Sequence, residues 1–267
     1  MGSELTFLQK LINFAEFTIF LLGKYWPLFL KGTEMTLLVA LSGTVIGFGI
    51  GLLVAVIRNI PRNKSDHPLK RYPLAFIQGL LSAYVEIFRG TPMIIQAAVI
   101  YYGSAELLGI IIPIIFCAIF IVSINTGSYM AEIIRGGIIS VDNGQFEGAY
   151  SIGMTHWQTM FFVVLPQAVR NIMPSIGNEF VINIKDSAVL SIISLGELFF
   201  QWRTIAGLHY RFFEPALIIC VIYFILTFSV TRLLLLIEKK MDGGNTVTIH
   251  GSQSAVNSAI RVEKRDH

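Results

Sequence analysis

The chain has little charge, few cysteines and no strong net charge of either sign. Only 14% of its 267 residues are charged, whereas soluble domains carry about 25%. The formal net charge of +3 is too small to indicate nucleic-acid binding, so we expect no nucleic-acid partner. The two cysteines, Cys117 and Cys220, lie inside apolar runs, which predicts buried thiols rather than a disulfide or a metal pair.

Sequence motifs for catalysis and for ATP binding are also missing. The chain has no G-x-x-x-x-G-K-[ST] phosphate loop, and its one Lys-Ser pair, Lys64-Ser65, lies in a stretch without glycine. It has neither the H-E-x-x-H nor the G-x-S-x-G motif, and its histidines are isolated. We therefore expect no catalytic residue, no metal site and no cofactor in this chain.

Long apolar runs are what the sequence does contain. It is 54% hydrophobic with a mean hydropathy of +0.67, and about 20 apolar residues are enough to cross a membrane as a helix. We predict an all-α membrane protein with an amphipathic helix over residues 72–88. A stripe of small residues that allows close helix packing lies in the first of its spans: Gly43, Gly47, Gly49 and Gly51. The five predicted spans cover residues 33–57, 92–108, 111–134, 169–190 and 215–237.

Basic residues orient these spans. The loop from Arg58 to Arg71 is the most basic in the chain, and such loops lie on the cytoplasmic side. Five spans then place the N-terminus outside and the C-terminus inside. Residues 1–32 are interrupted by charges and by Pro27, which predicts a segment at the interface or packed on the bundle. Residues 33–238 form the transmembrane domain, and the polar tail, residues 239–267, is expected to be disordered.

A polar segment over residues 144–166 interrupts the apolar sequence. Asp142 is placed to cap a first helix with Gln145 as its partner, and Thr155 with Gln158 a second. Gly153 is suited to end the first helix, because a left-handed residue is least costly as glycine. Pro166 is expected to let the chain turn into the fourth span. The segment therefore predicts two short helices on the cytoplasmic face that bind a partner. The alternative is that the segment only connects two spans.

Ionisable residues inside the spans are candidates for function, because burying a charge in hydrocarbon is costly. Glu179, Asn183 and Asp186 fall on one face of the fourth span, at positions i, i+4 and i+7. This stripe suits a cationic or zwitterionic substrate, although ion pairs with other helices would explain it equally well. Two pairs at i, i+3 spacing are candidates for structural braces or a gate: Glu86 with Arg89, and Glu132 with Arg135.

Four segments resemble the permease subunits of ABC importers, polar amino acid branch (histidine, glutamine and arginine types). Glu147-Gly148-Ala149, followed by Gly153 and by Leu165-Pro166, resembles the EAA loop of that family, with Gly148 where the family usually has alanine. The other three segments follow the order found in that branch: YVEIFRGTPMIIQ (84–96), SYMAEIIRGGI (128–138) and GNEFVINIKDSAVLS (177–191).

The resemblance implies a five-span type I ABC importer fold with a cytoplasmic coupling helix, in a bacterial inner membrane. Glu147 would offer its charge to a groove of a separate ATPase, Ala149 would permit close approach and Gly153 would set the bend. A dimer of ATPase subunits would bind ATP and Mg²⁺, and an extracytoplasmic binding protein would deliver a polar or charged L-amino acid. Because five spans are too few to enclose a path, we also expect a second permease copy or a paralogue, with membrane lipid around both.

Other classes of protein remain open from the sequence. A passive channel would not need a structured cytoplasmic segment, and it would conduct without ATP. A membrane-embedded enzyme lacks the motifs noted above. A structural assembly factor does not explain the stripe from Glu179 to Asp186. The sequence does not identify the amino acid, and it does not decide between homodimer and heterodimer.

Overall fold

The computed structural model describes residues 6–61, 68–241, 246–249 and 260–263. Helices make up most of this part of the chain. A π-helical stretch, Met160–Val164, precedes α7, and a 3₁₀ stretch, Ser187–Ile193, follows it. The helices are α1 (Phe7–Arg58), α2 (Pro68–Gly90), α3 (Met93–Leu108), α4 (Ile114–Ile139), α5 (Asn143–Ser151), α6 (His156–Thr159), α7 (Leu165–Asp186), α8 (Leu198–His209) and α9 (Phe213–Met241).

The N-terminal segment and the first predicted span form one helix. α1 has 52 residues and is therefore about 78 Å long at 1.5 Å per residue. The expectation that Pro27 interrupts this segment is wrong, since the helix continues through it. Leu21 and Phe29 are buried in a cluster with residues of α8 and α9. This part of α1 thus packs on the bundle through Leu21 and Phe29, while the boundary at residue 33 stays a prediction.

Three glycines bring α1 and α4 into close contact. A Cβ atom at Gly43 would lie 2.3 Å from Val122 Cγ1, and one at Gly51 would lie 2.4 Å from Met130 Cβ. At Gly47, the nearest atom would be Thr126 Cβ at 2.8 Å. The contacts join residue 43 to 122, 47 to 126 and 51 to 130. Since the numbers increase along both helices in the same order, the two helices are parallel. The predicted small-residue stripe is confirmed for these three glycines, whereas a Cβ at Gly49 would meet no atom within 4 Å.

α7 runs antiparallel to α4 and packs beside it. A Cβ at Gly137 of α4 would lie 3.1 Å from the Ala168 carbonyl oxygen near the start of α7. Asn183 near its end bonds instead to Thr126, in the middle of α4. The polar stripe predicted on this helix therefore begins near the mid-level of the bundle.

α2 and α3 follow one another but are separated by a break at Thr91-Pro92. The Gln96 amide nitrogen donates to the carbonyl oxygens of Phe88 and Thr91, each at 3.0 Å. Asn125, in the middle of α4, donates to the Gln96 side-chain oxygen at 2.9 Å. The broken backbone is thus satisfied by side chains at the middle of the bundle, as membrane proteins require.

In the described residues, three helices are long and apolar enough to cross a membrane: Phe7–Arg58, Ile114–Ile139 and Phe213–Lys240. α3 is apolar but has only 16 residues, and α7 carries the polar stripe. The count of five spans therefore stays a prediction. Cys117 is buried as expected, but Cys220 is exposed on α9 and the expectation for it is wrong.

Part of the C-terminal tail is described as a short antiparallel pair of strands. β1 (Thr246–Ile249) pairs with β2 (Ile260–Glu263), with Thr246 opposite Glu263. The remaining positions beyond Met241 lie outside the described residues. Disorder of the tail stays a prediction there.

Candidate functional site

The segment after α4 folds into a short helix with a defined start and end. Asp142 caps α5 by accepting a 2.7 Å hydrogen bond from the Gly144 N–H. At the other end, the Met154 N–H donates to Ala149 O at 3.1 Å and the Gly153 N–H to Tyr150 O at 3.0 Å. These two bonds form a Schellman motif, and Gly153 has a φ of 83°. The predicted role of Gly153 in ending this helix is confirmed.

The predicted caps are confirmed in part. Thr155 and Gln158 form the expected capping box, with the Thr155 N–H donating to the Gln158 side chain at 2.8 Å. Gln145 does not complete a box with Asp142. Its side-chain oxygen instead accepts a 3.2 Å hydrogen bond from Gln167, which joins α5 to the start of α7.

The candidate coupling residues lie on different faces of α5. Glu147 and Gly148 are exposed, and a Cβ at Gly148 would meet no atom within 4 Å, so the departure from alanine leaves this surface open. Ala149 is only 5% exposed. Its methyl group therefore packs inside this chain, and it anchors α5 rather than offering a surface to a partner.

The expected turn at Pro166 is not formed. α6, the π-helical stretch and α7 follow one another without an intervening loop, and Pro166 is the second residue of α7. The Leu165 N–H donates to Met160 O five residues earlier, so the widened backbone accommodates the proline. Leu165 is buried at 7% exposure in the cluster that also holds Ala168 and Ile172. The second short helix, α6, is thus continuous with α7 through the π-helical stretch.

Apolar side chains are exposed around this segment, a feature that lies outside the sequence motifs. A patch of this kind on a structured surface is typical of a docking site. Trp157 stacks on Phe161 with ring centroids 5.9 Å apart. The exposed members are Tyr150, Ile152, Trp157, Phe161 and Phe162.

The three polar residues of the α7 stripe have different environments. Asn183 is 4% exposed and hydrogen-bonds to Thr44 of α1 and Thr126 of α4. Glu179 is half-buried and Asp186 is exposed. Asn183 therefore braces three helices, and the two carboxylates are the more accessible members of the stripe.

Arg89 lies near Glu179 of this stripe, although its i, i+3 spacing from Glu86 predicted a pair with that residue. Its guanidinium lies 5.5 Å from the centre of the Tyr129 ring, and its charge acts on Glu179. The three ion pairs found among the described residues do not include Glu86 with Arg89. The break between α2 and α3 thus brings a cation close enough to act on Glu179 of α7, an arrangement that sequence spacing cannot reveal.

Glu132 and Arg135 form their expected pair and recruit a third residue. Glu132 Oε2 accepts from Arg135 Nε at 2.9 Å, and its Oε1 accepts from Arg58 Nη1 at 2.6 Å. Since Arg58 is the last residue of α1, the carboxylate ties the end of α1 to α4. This geometry is that of a brace.

Glu197, just before α8, was not identified from the sequence. It is fully buried and caps α8 by accepting from the Phe199 and Phe200 N–H groups, each at 2.7 Å. The Tyr223 hydroxyl donates to it at 3.1 Å. Burial raises the pKa of Glu197 to about 7, while these three hydrogen bonds oppose the shift.

The described residues contain no group of three or more His, Cys, Asp or Glu side chains that could hold a metal ion. Arg89, Glu179 and Asp186 remain at least partly accessible, as does Lys185, whose charge acts on Asp186. A guanidinium opposite two carboxylates can bind both ends of a zwitterion by charge-assisted hydrogen bonds.

Residues 69–243 match the family described as Binding-protein-dependent transport system inner membrane component, and the chain belongs to this family. The resemblance to ABC importer permeases is thereby confirmed, and the chain is a membrane component of such a transporter. It is 31% identical over 219 residues to the arginine transport system permease protein ArtQ of Bacillus subtilis (strain 168), covering 82% of this chain and 94% of that protein. It is 30% identical over 216 residues to the glutamine transport system permease protein GlnP of Escherichia coli (strain K12), covering 80% and 93%.

The fold is shared with a solved transporter. A crystal structure of an amino acid ABC transporter with histidines superposes with a TM-score of 0.72 and 39% identity, covering 82% of this chain and 96% of that one. The all-helical fold of ABC importer permeases, predicted from the motifs, is confirmed.

Proposed function

We propose that this chain is the permease subunit of an ATP-driven importer for a polar or charged L-amino acid. The observation that carries the proposal is the group of Arg89, Glu179 and Asp186, which matches the charges of an amino acid. The relatives with known names transport arginine and glutamine, and both substrates carry an ammonium and a carboxylate. Transport proceeds by alternating access to this group from the two sides of the membrane.

In this proposal the ammonium of the substrate binds the carboxylates and its carboxylate binds Arg89. Tyr129 holds the guanidinium in place through its ring face. Asn183 does not contact the substrate, because its amide is already bonded to two helices. The position of these groups near the mid-level of α4 suits a site that is reached from either side.

Coupling to ATP hydrolysis uses the segment from Glu147 to Pro166. The exposed Glu147 and Gly148, with the apolar side chains around them, dock in a groove of a separate ATPase. Gly153 fixes the angle between α5 and α6 through its left-handed backbone. Because α6 continues through the π-helical stretch into α7, a displacement of this segment moves the helix that carries Glu179 and Asp186.

The complete importer in this proposal has four kinds of component. Two ATPase subunits bind ATP and Mg²⁺, while this chain holds no cofactor. A second permease copy or paralogue closes the path about a twofold axis along the membrane normal, and an extracytoplasmic binding protein delivers the substrate. The N-terminus lies outside and the C-terminus inside, with Arg58 and Arg135 on the cytoplasmic side as the positive-inside rule requires.

Co-purification tests this function. The full-length chain is extracted from its native membrane with wild-type Glu147 or with Glu147→Arg, and the proteins that accompany it are identified by mass spectrometry. We expect an ATPase with a phosphate loop in the wild-type sample and its loss from the variant. Glu106→Arg is the matched control, because it reverses an exposed carboxylate on α3, outside this segment. Recovery of the chain with no nucleotide-binding protein would contradict the proposal.

A further inference from the structure

A polar cavity lies where α1, α2 and α4 meet, away from the proposed substrate group. Its volume is about 270 Å³, far more than the roughly 30 Å³ that one water occupies in the liquid. The lining residues come from the end of α1, one face of α2 and the last part of α4. They are Arg58, Ala75, Gln78, Gly79, Ser82 and Arg135.

Counted over the residues that the structure describes, the cavity carries an excess of positive charge. Arg58 and Arg135 share a single carboxylate, that of Glu132, so two positive charges against one negative charge leave one in excess. The ion pairs use Nη1 of Arg58 and Nε of Arg135, and each guanidinium has further N–H groups. Arg135 is 44% exposed at its side chain. A phosphate group suits such a pair, because guanidinium donors match its oxygens in geometry and charge.

The floor of the cavity is polar and well fixed. Gln78 is buried and its amide nitrogen donates to the carbonyl oxygens of Ile57 and Ile60, at 2.9 and 3.1 Å. Ser82 donates to the Gln78 carbonyl oxygen at 2.9 Å, which leaves its own oxygen free to accept. The two Gln78 bonds hold the end of α1, which carries Arg58, against α2.

An exposed apolar stripe on α2 lies beside the cavity. At 100° per residue, Gly79 stands between the cavity face of α2 and this stripe, and a Cβ there would meet no atom within 4 Å. An amphiphile can therefore extend from the charged cavity onto the apolar surface without an obstruction. The members of the stripe are Tyr72, Phe76, Leu80 and Ile87, which are between 55% and 70% exposed.

We infer that this cavity binds the phosphate headgroup of an anionic phospholipid, with the acyl chains along the stripe on α2. The occupant is a membrane lipid rather than a soluble phosphate because the charged cavity and the apolar stripe are continuous. Basic pockets between helices on the cytoplasmic side are suited to such headgroups. The lipid would bridge α1, α2 and α4 beside the ion pairs of Glu132.

Native mass spectrometry of the purified full-length protein, with the subunits it retains, tests this site. The protein is titrated with phosphatidylglycerol and with phosphatidylcholine of the same acyl chains, and the apparent Kd of each is measured. We expect tighter binding of phosphatidylglycerol. Arg135→Gln should weaken it about fivefold, the factor expected for one cationic side chain. Gly79→Leu should weaken it at least as much, because its side chain fills the passage without changing the charge.

Two variants serve as matched controls. Arg170→Gln removes one exposed arginine from α7, and Gly23→Leu adds a side chain at an exposed helical glycine whose Cβ meets no atom within 4 Å. Both should bind phosphatidylglycerol as the wild type does. Equal affinity for the two lipids, or an equal loss in Arg170→Gln, would overturn the inference. Displacement of the lipid by an equal concentration of glycerol 3-phosphate would instead assign the cavity to a soluble phosphate and overturn it as well.

Discussion

Asn183 of α7 donates a 2.8 Å hydrogen bond to the hydroxyl of Thr44 in α1. Its side-chain oxygen accepts from Thr126 of α4 at 3.1 Å, so one buried amide joins three helices. Hydrogen bonds between membrane helices contribute about 0.6 kcal/mol on average and up to about 1.7 kcal/mol. The relationship gives Asn183 a role in the packing of the bundle, and its place on the substrate path stays a prediction.

Asn183→Leu should therefore lower the free energy of unfolding by about 1–2 kcal/mol, since two such bonds are lost. The KM of transport should remain close to that of the wild type. Thermal unfolding of the purified protein and uptake by vesicles measure the two quantities. Asn178→Leu, at an exposed position of the same helix, should leave the stability unchanged. A raised KM at unchanged stability would return Asn183 to the substrate path.

Gly51→Ala should destabilise the contact between α1 and α4. The new Cβ would lie 2.4 Å from Met130 Cβ, and overpacking of this kind costs about 1–3 kcal/mol. Gly49→Ala is the matched control two residues away, where a Cβ meets no atom within 4 Å. That change should stabilise the helix by about 0.5–1 kcal/mol. Thermal unfolding of both variants checks the prediction, and equal effects would contradict the close packing.

Arg89→Gln and Glu179→Gln should each raise the KM for the amino acid by about 10- to 100-fold. This range corresponds to the loss of one hydrogen bond to a charged group, about 1.5–3 kcal/mol. Uptake of labelled arginine and glutamine by vesicles that contain the complete importer provides the measurement. Glu86→Gln is the control, because Glu86 is exposed and lies outside the proposed site. Unchanged KM values in both variants would exclude this group from substrate binding.

Glu197 should make the stability of the protein depend on pH. Its pKa is raised by burial to about 7 in the folded state, against about 4.5 for an ordinary glutamate. The folded state thus binds the proton more tightly than the unfolded state. The stabilisation that protonated Glu197 gives to the folded state is therefore fully present below about pH 4.5. It is lost as the pH rises to about 7 and stays constant above that value.

The loss over this interval is on the order of 3 kcal/mol or less. Thermal unfolding between pH 4.5 and 8 should show the decrease in the wild type and a smaller one in Glu197→Gln, which cannot titrate. An identical pH profile for the two proteins would mean that folding does not raise the pKa of Glu197.

The local features of the coupling segment could be predicted from the sequence because they depend on neighbouring residues. The cap at Asp142, the box of Thr155 with Gln158 and the left-handed Gly153 each follow from side-chain or backbone chemistry within a few positions. Pro166 misled the prediction, because a proline often marks the end of a helix. Here a π-helical stretch before Pro166 accommodates the proline ring, so the helix continues. No local signal in the sequence indicates a π-helical stretch at this position.

The sequence by itself determined the class of this protein: helices of a membrane domain, a small-residue stripe, a capped segment and family motifs in order. Periodicity, length and hydropathy are local properties, so they are readable along the chain. Only the tertiary structure decided which polar groups meet. Asn183 became a brace because Thr44 and Thr126 face it from other helices, and Arg89 joined Glu179 because a break after α2 brings them together. Contacts of this kind depend on how segments that are distant in the sequence pack together. The spacing of residues along the chain does not specify that packing.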